Sequence, residues 1–109
     1  LQLGERLQAR LRTLQKRYGA IGAIRGLGAM VAIELVRNGR ADQPDADLTR
    51  ALVQAAARHG LVILSCGTYG NVIRFLAPLT ITEQLLDEGM DKLEAALAEV
   101  TAAASQAAA

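Results

Sequence analysis

The sequence predicts an α+β fold in which one small sheet of about four strands, mixed or antiparallel, packs against helices in the order α-β-β-α-β-β-α. Three observations lead there. Leucines recur at helical spacing near both ends of the chain. Short apolar, β-branched runs between them are interrupted by glycines, as strands joined by turns are. With 109 residues, of which 51% are apolar, the chain can bury one modest core and is not a disordered polar segment.

Taken in order, Leu3, Leu7, Leu11, Leu14 and Tyr18 follow at steps of four, four, three and four, one stripe of an amphipathic helix. Arg6, Arg10, Arg12, Lys16 and Arg17 read most simply as its solvated face, and Gly19 and Gly22 end it. Ala23-Ile24-Arg25 is a short extended segment broken at Gly26-Leu27-Gly28, and Ala29 to Val36 is an apolar run carrying one acid, Glu34. Both are too short and too β-branched for helix, so they predict two strands about a glycine turn. Asn38 to Pro44 is polar turn chemistry, after which Asp45 or Asp47 can cap a helix reaching about His59. Its apolar positions are Leu48, Leu52, Val53, Ala55 and Ala56, with His59 at the favourable end of the dipole and Gly60 as the stop.

Leu61-Val62-Ile63-Leu64 predicts a buried strand, residues 67–71 a loop, and Val72 to Ala77 a second strand ended by Pro78. Thr80 stands at capping-box spacing from Glu83, with Thr82 as the competing cap. The last helix buries Leu86, Met90, Leu93, Leu97 and Val100. Residues 1–101 therefore form one domain, and 102–109 an alanine-rich tail expected to fray.

Composition excludes several classes of function. Lys and Arg number 12 against 11 Asp and Glu, a net charge of +1, so no field of one sign is available for nucleic acid or an anionic membrane. The aromatics Tyr18, Tyr69 and Phe75 are scattered, unlike a base-stacking surface. Cys66 and His59 are each the sole residue of their type, which leaves no disulfide and argues against a metal cage. No apolar run approaches the ~20 residues of a membrane helix. A reducing, cytoplasmic setting is expected. The chain begins with Leu rather than Met, which suggests a piece of a longer protein.

Arg74 is the most informative residue. It falls mid-strand in Val72-Ile73-Arg74-Phe75-Leu76, on a face with Val72 and Leu76. A permanent cation there requires an anion or a route to water. One reading is a planar fork that binds a carboxylate bidentately; the other is an internal ion pair, with Glu34 on another predicted strand as the obvious partner. The preceding loop, Cys66-Gly67-Thr68-Tyr69-Gly70-Asn71, reads either as a binding loop or as an ordinary hairpin connection. Cys66 itself is expected to be a small buried hydrophobe. Gly26-x-Gly28 lacks the third glycine and the following helix of a dinucleotide fingerprint, so a tight turn suffices. The two lysines, Lys16 and Lys92, fall on solvent-facing parts of helices, where nothing would activate either for Schiff-base chemistry.

Four segments in order carry a family resemblance: Ile24-Arg25-Gly26-Leu27-Gly28-Ala29-Met30 through Leu35; Pro44-Asp45-Ala46 leading into a helix; His59 through Ile81, including Ser65-Cys66-Gly67-Thr68-Tyr69 and Asn71-Val72-Ile73-Arg74-Phe75-Leu76-Ala77-Pro78-Leu79; and Glu88-Gly89-Met90. Over roughly Leu3 to Val100 the chain resembles the C-terminal part of class III, pyridoxal-phosphate-dependent aminotransferases, with a lean toward the 4-aminobutyrate branch. Ornithine and acetylornithine aminotransferases share much of the pattern.

The resemblance implies the small C-terminal domain of a fold type I enzyme. Its partners would be a large cofactor-binding domain of the same polypeptide, amino-acid and 2-oxo-acid substrates, and further copies in a homo-oligomer. It implies that Arg74 binds a substrate carboxylate, and that pyridoxal phosphate and its lysine belong to a part of the parent upstream of this chain. No catalytic, cofactor-binding or metal residue is assigned here, and the chain alone is expected to bind no cofactor and to be inactive. The alternative is a free-standing α+β interaction or regulatory module.

Overall fold

The computed structural model describes the backbone of residues 2–27, 30–76 and 81–108, and the side chains of 4–26, 30–75 and 81–104. Seven elements follow one another: α1 (Gln2–Arg17), β1 (Ile21–Leu27), β2 (Met30–Leu35), α2 (Ala46–Arg58), β3 (Leu64–Cys66), β4 (Val72–Leu76) and α3 (Glu83–Ala108). The four strands form one sheet in the order β1-β2-β4-β3 with every neighbouring pair antiparallel, so the α+β expectation holds and the sheet is purely antiparallel. The crossing connection through α2 brings β4 back against β2 and leaves β3 on the outer edge.

The helices cover one face of the sheet. β2 alternates strictly, with Val31, Ile33 and Leu35 buried and Met30, Ala32 and Glu34 on the other side. Ile73 and Phe75 of β4 join the buried row, and Leu7, Leu11 and Leu14 of α1, Leu52, Ala55 and Ala56 of α2, and Met90, Leu93, Ala96 and Leu97 of α3 close the core over them. This two-layer packing buries one face of the sheet and one stripe of each helix, as two-layer architectures do.

Local chemistry sets the element ends. Asp45, not Asp47, caps α2: its carboxylate accepts from the Leu48 amide at 3.0 Å. His59 is the C-terminal cap, its amide donating to the Ala55 carbonyl, and Gly60 follows in the left-handed region at φ +88. Thr82 caps α3, its Oγ1 accepting from the Leu85 amide at 3.1 Å. Its rival, Thr80, lies outside the described residues, as do the Pro78 stop and Gly28 of the expected glycine turn. α3 continues to Ala108 and so takes in most of the alanine-rich segment.

Several expectations are corrected. β1 starts earlier and runs later than the expected segment Ala23-Ile24-Arg25, because Gly22 and Gly26 serve inside the strand. A Cβ at Gly26 would stand 2.9 Å from Gln8 Nε2 of α1 and 3.0 Å from the Met30 carbonyl oxygen, so glycine there permits the helix to lie close on the sheet. The buried strand expected at Leu61–Leu64 is instead a segment in which only Ile63 is buried, while Val62 is 84% and Leu64 72% exposed. An edge position explains this: alternation turns Ile63 to the helices and its neighbours outward.

The cationic face of α1 is not simply solvated either. Arg6 and Arg10 both reach Asp87, Arg10 also reaches Asp91 at 2.7 Å, and Arg17 pairs with Glu94. The rising numbers on both sides mean that α1 and α3 run parallel, stitched along their length. Hydrogen bonds from Arg6, with its charge and that of Arg10, hold the Asp87 carboxyl below its usual range.

Candidate carboxylate site on the open face of the sheet

The face of the sheet turned away from the helices is assembled by strand register. In antiparallel pairs, directly opposed residues point to the same side. Arg25 of β1 is opposite Ala32 of β2, Ala32 is opposite Arg74 of β4, and Arg74 is opposite Leu64 of β3. One row across all four strands therefore reads Arg25, Ala32, Arg74, Leu64. The neighbouring row reads Ala23, Glu34, Val72, Cys66.

Arg74 is exposed, which provides the route to water that a cation on a strand needs. The internal pair with Glu34 does not form. Glu34 accepts instead from Arg25 Nη2 at 3.0 Å. All 11 acidic residues of the chain are described, and none lies within ion-pairing distance of Arg74. Arg74 also stands on the wall of a groove of about 200 Å³ whose other walls include Val62, Ile63, Phe75, Leu85 and Met90. Most of that groove lies on the helix side of the sheet edge, so on the open face the apolar neighbour of the guanidinium is Leu64, directly opposite it on β3.

The loop before β4 proves to be structural at its most buried point. Asn71 is 7% exposed, and its Nδ2 donates to the Leu35 carbonyl at 3.0 Å while its own carbonyl accepts from the Leu35 amide at 2.8 Å. These two bonds fix where β4 begins against β2, and so fix the level of Arg74. Gly67 and Gly70 take positive φ values, +93 and +64, to turn the chain between the strands. Tyr69 points out, 70% exposed. Cys66, expected to be buried, is a half-buried free thiol because its strand is at the edge.

A larger groove of about 1070 Å³ lies elsewhere, between α2, the far end of α3 and the connection after β2. Its charged lining is already paired: Arg37 with Asp45 and Asp47, and Arg58 with Glu99. Arg58 and His59 together hold the Glu99 carboxyl below its ordinary range. That self-satisfied rim offers little to a ligand. Among the described residues no group of three or more metal-binding side chains occurs, and no helix is long and apolar enough to cross a membrane.

Sequence and fold together place the chain in a class. The family description "Aminotransferase class-III" matches residues 1–97, and the chain belongs to that family. Among curated relatives, the 5-aminovalerate aminotransferase of Pseudomonas putida is 48% identical over 98 residues, 90% of this chain and 23% of that protein. The 4-aminobutyrate aminotransferase of Mycobacterium tuberculosis is 52% identical over 91 residues, 84% of this chain and 20% of the relative. A solved aminotransferase of Bacillus anthracis superposes with a TM-score of 0.82 at 28% identity, covering 90% of this chain and 23% of that one. The chain thus spans about a fifth of the length of the relatives it matches.

One of the similar solved structures, from Vibrio fluvialis, is described as bound to pyridoxal phosphate, with a TM-score of 0.81 at 29% identity over 93% of this chain and 22% of that one. Among the described residues neither lysine is placed to hold that group. A Schiff-base lysine needs a lowered pKa and a fixed cofactor beside it, whereas Lys16 and Lys92 are both exposed on helices.

Proposed function

We propose that this chain is the C-terminal segment of a 4-aminobutyrate, or more broadly ω-amino acid, 2-oxoglutarate transaminase, and that Arg74 binds the carboxylate of its substrates. One observation carries the reading: Arg74 is exposed on a sheet face that none of the described helices covers, and it is unpaired with any of the chain's acidic side chains. An arginine kept clear of internal acids presents its fork to an anion from outside. The relatives named for 4-aminobutyrate and for 5-aminovalerate both act on chains with an amine at one end and a carboxylate at the other. A single carboxylate clamp serves either donor as well as a 2-oxo acid acceptor.

In this reading Arg74 orients rather than reacts. Its two parallel N–H donors fix the plane of the carboxylate, and Leu64, directly opposite Arg74 on β3 and exposed, offers the methylenes an apolar neighbour on the same face. The exposed apolar side chains near it would be covered by a large domain of the same polypeptide, which would hold the pyridoxal phosphate that supplies the electron sink. The parent is taken to be a homo-oligomer.

The test is steady-state kinetics of the full-length protein carrying Arg74→Gln. Loss of a bidentate, charge-assisted pair corresponds to roughly 2–4 kcal/mol, or about 30- to 700-fold in kcat/KM. Arg74→Lys keeps the charge but not the fork and should recover only part of it. Unchanged kinetics for 2-oxoglutarate in Arg74→Gln would remove the assignment.

A further inference from the structure

The same register that exposes Arg74 puts one carboxylate within reach of it. Glu34 lies opposite Ala23 on one side and Val72 on the other. Arg25 is two residues beyond Ala23, and Arg74 two residues beyond Val72, so Glu34 has an arginine on a diagonal in each direction. Diagonal neighbours on a sheet face stand about 7–8 Å apart at the backbone, a span that long side chains cross. The residue between the two arginines is Ala32, whose methyl group is too small to fence either path. Glu34 takes the β1 side, bonded to Arg25 at 3.0 Å.

We propose that Arg25 is a positioning residue that holds Glu34 toward β1 and thereby keeps Arg74 available to a substrate carboxylate. The inference rests on the reading of Arg74 as the carboxylate clamp. Without Arg25, the nearest cation on the open face for Glu34 is Arg74, and an internal carboxylate on that fork competes directly with one from substrate. Arg25 is 73% and Glu34 28% exposed, so the hold is that of a surface pair rather than a buried one. The effect on substrate is correspondingly modest, about threefold to fivefold in KM, the range that an exposed ion pair carries.

The experiment compares Arg25→Gln, Arg25→Lys, Glu34→Gln, the double variant Arg25→Gln/Glu34→Gln, and Arg74→Gln in the full-length protein, with 2-oxoglutarate as the probe. Arg25→Gln is expected to raise the KM for 2-oxoglutarate about threefold to fivefold with kcat little changed. Arg25→Lys retains the pair and the wild-type KM. The double variant returns to the wild-type KM, because the competing carboxylate is gone. A KM in the double variant as high as in Arg25→Gln overturns the proposal and makes Arg25 a structural residue or a direct ligand. So does an unaltered KM in Arg25→Gln while Arg74→Gln is strongly impaired. If Arg74→Gln itself leaves KM unchanged, the clamp reading fails first and takes this inference with it.

Discussion

Removing the Asn71 side chain tests whether one buried amide sets the level of β4, and with it the position of Arg74. In Asn71→Ala the bond from Nδ2 to the Leu35 carbonyl, 3.0 Å long, disappears, while the backbone bond from Leu35 N to Asn71 O remains. The Leu35 carbonyl is not orphaned, because the Asp45 amide also donates to it at 3.0 Å. The loss should therefore sit near the ordinary net value of one neutral hydrogen bond, about 1 kcal/mol, without the further cost of an unsatisfied acceptor. For a domain of this size that corresponds to a fall of roughly 4–8 °C in Tm.

Asn71→Asp should be worse, about 3 kcal/mol, since an ionised carboxylate has no donor and would face a carbonyl in a buried site. Its deficit should shrink on acidification, when the protonated side chain can donate again. Thermal unfolding of the 109-residue chain followed by circular dichroism measures all of this. Asn71→Ala melting with the wild type, or Asn71→Asp melting no lower than Asn71→Ala, would refute the role given to this side chain.

Three further outcomes are expected. Asp87 is held below its ordinary carboxylate value of 3.8 by Arg6 and Arg10, so the unfolded chain takes up its proton first. The stability it contributes is complete above that value and drains away as pH falls through the folded one. The stability gap between wild type and Asp87→Asn, followed by urea unfolding, should close over that acid range and not on the alkaline side. Leu93→Ala empties a fully buried position of α3; about 2–5 kcal/mol should be lost, enough to unfold much of the isolated chain at 37 °C by circular dichroism. Val62 and Leu64, 84% and 72% exposed, should drive the isolated chain to self-associate in sedimentation velocity, and Val62→Ser with Leu64→Ser should reduce this while leaving helix content unchanged.

Much of the fold could be read from local pattern. The stripe Leu7, Leu11, Leu14 and the stripe Met90, Leu93, Leu97 specify their helices at 3.6-residue spacing, and the Asp45 and Thr82 caps are short-range hydrogen bonds that neighbouring residues dictate. The run Met30 to Leu35 declares a strand by composition. Arg74 could be singled out because a cation in an apolar strand violates the pattern around it.

What local pattern could not supply was who stands beside whom. The apolar string Leu61 to Leu64 looks buried in one dimension, and only the order β1-β2-β4-β3 puts it at an edge where alternate residues meet solvent. The arginines of α1 look solvated until α3 is laid parallel to it. Glu34 looks like the natural partner of Arg74, and only register shows that Arg25 is on its other diagonal and holds it.

The sequence by itself determined the elements, their caps, the family pattern and the one residue worth testing, because each depends on contacts within a few positions of the chain. Only the tertiary structure decided which charges pair and which face stays open. Those depend on strands and helices far apart in sequence meeting at a fixed register, and spacing along one chain contains no record of it.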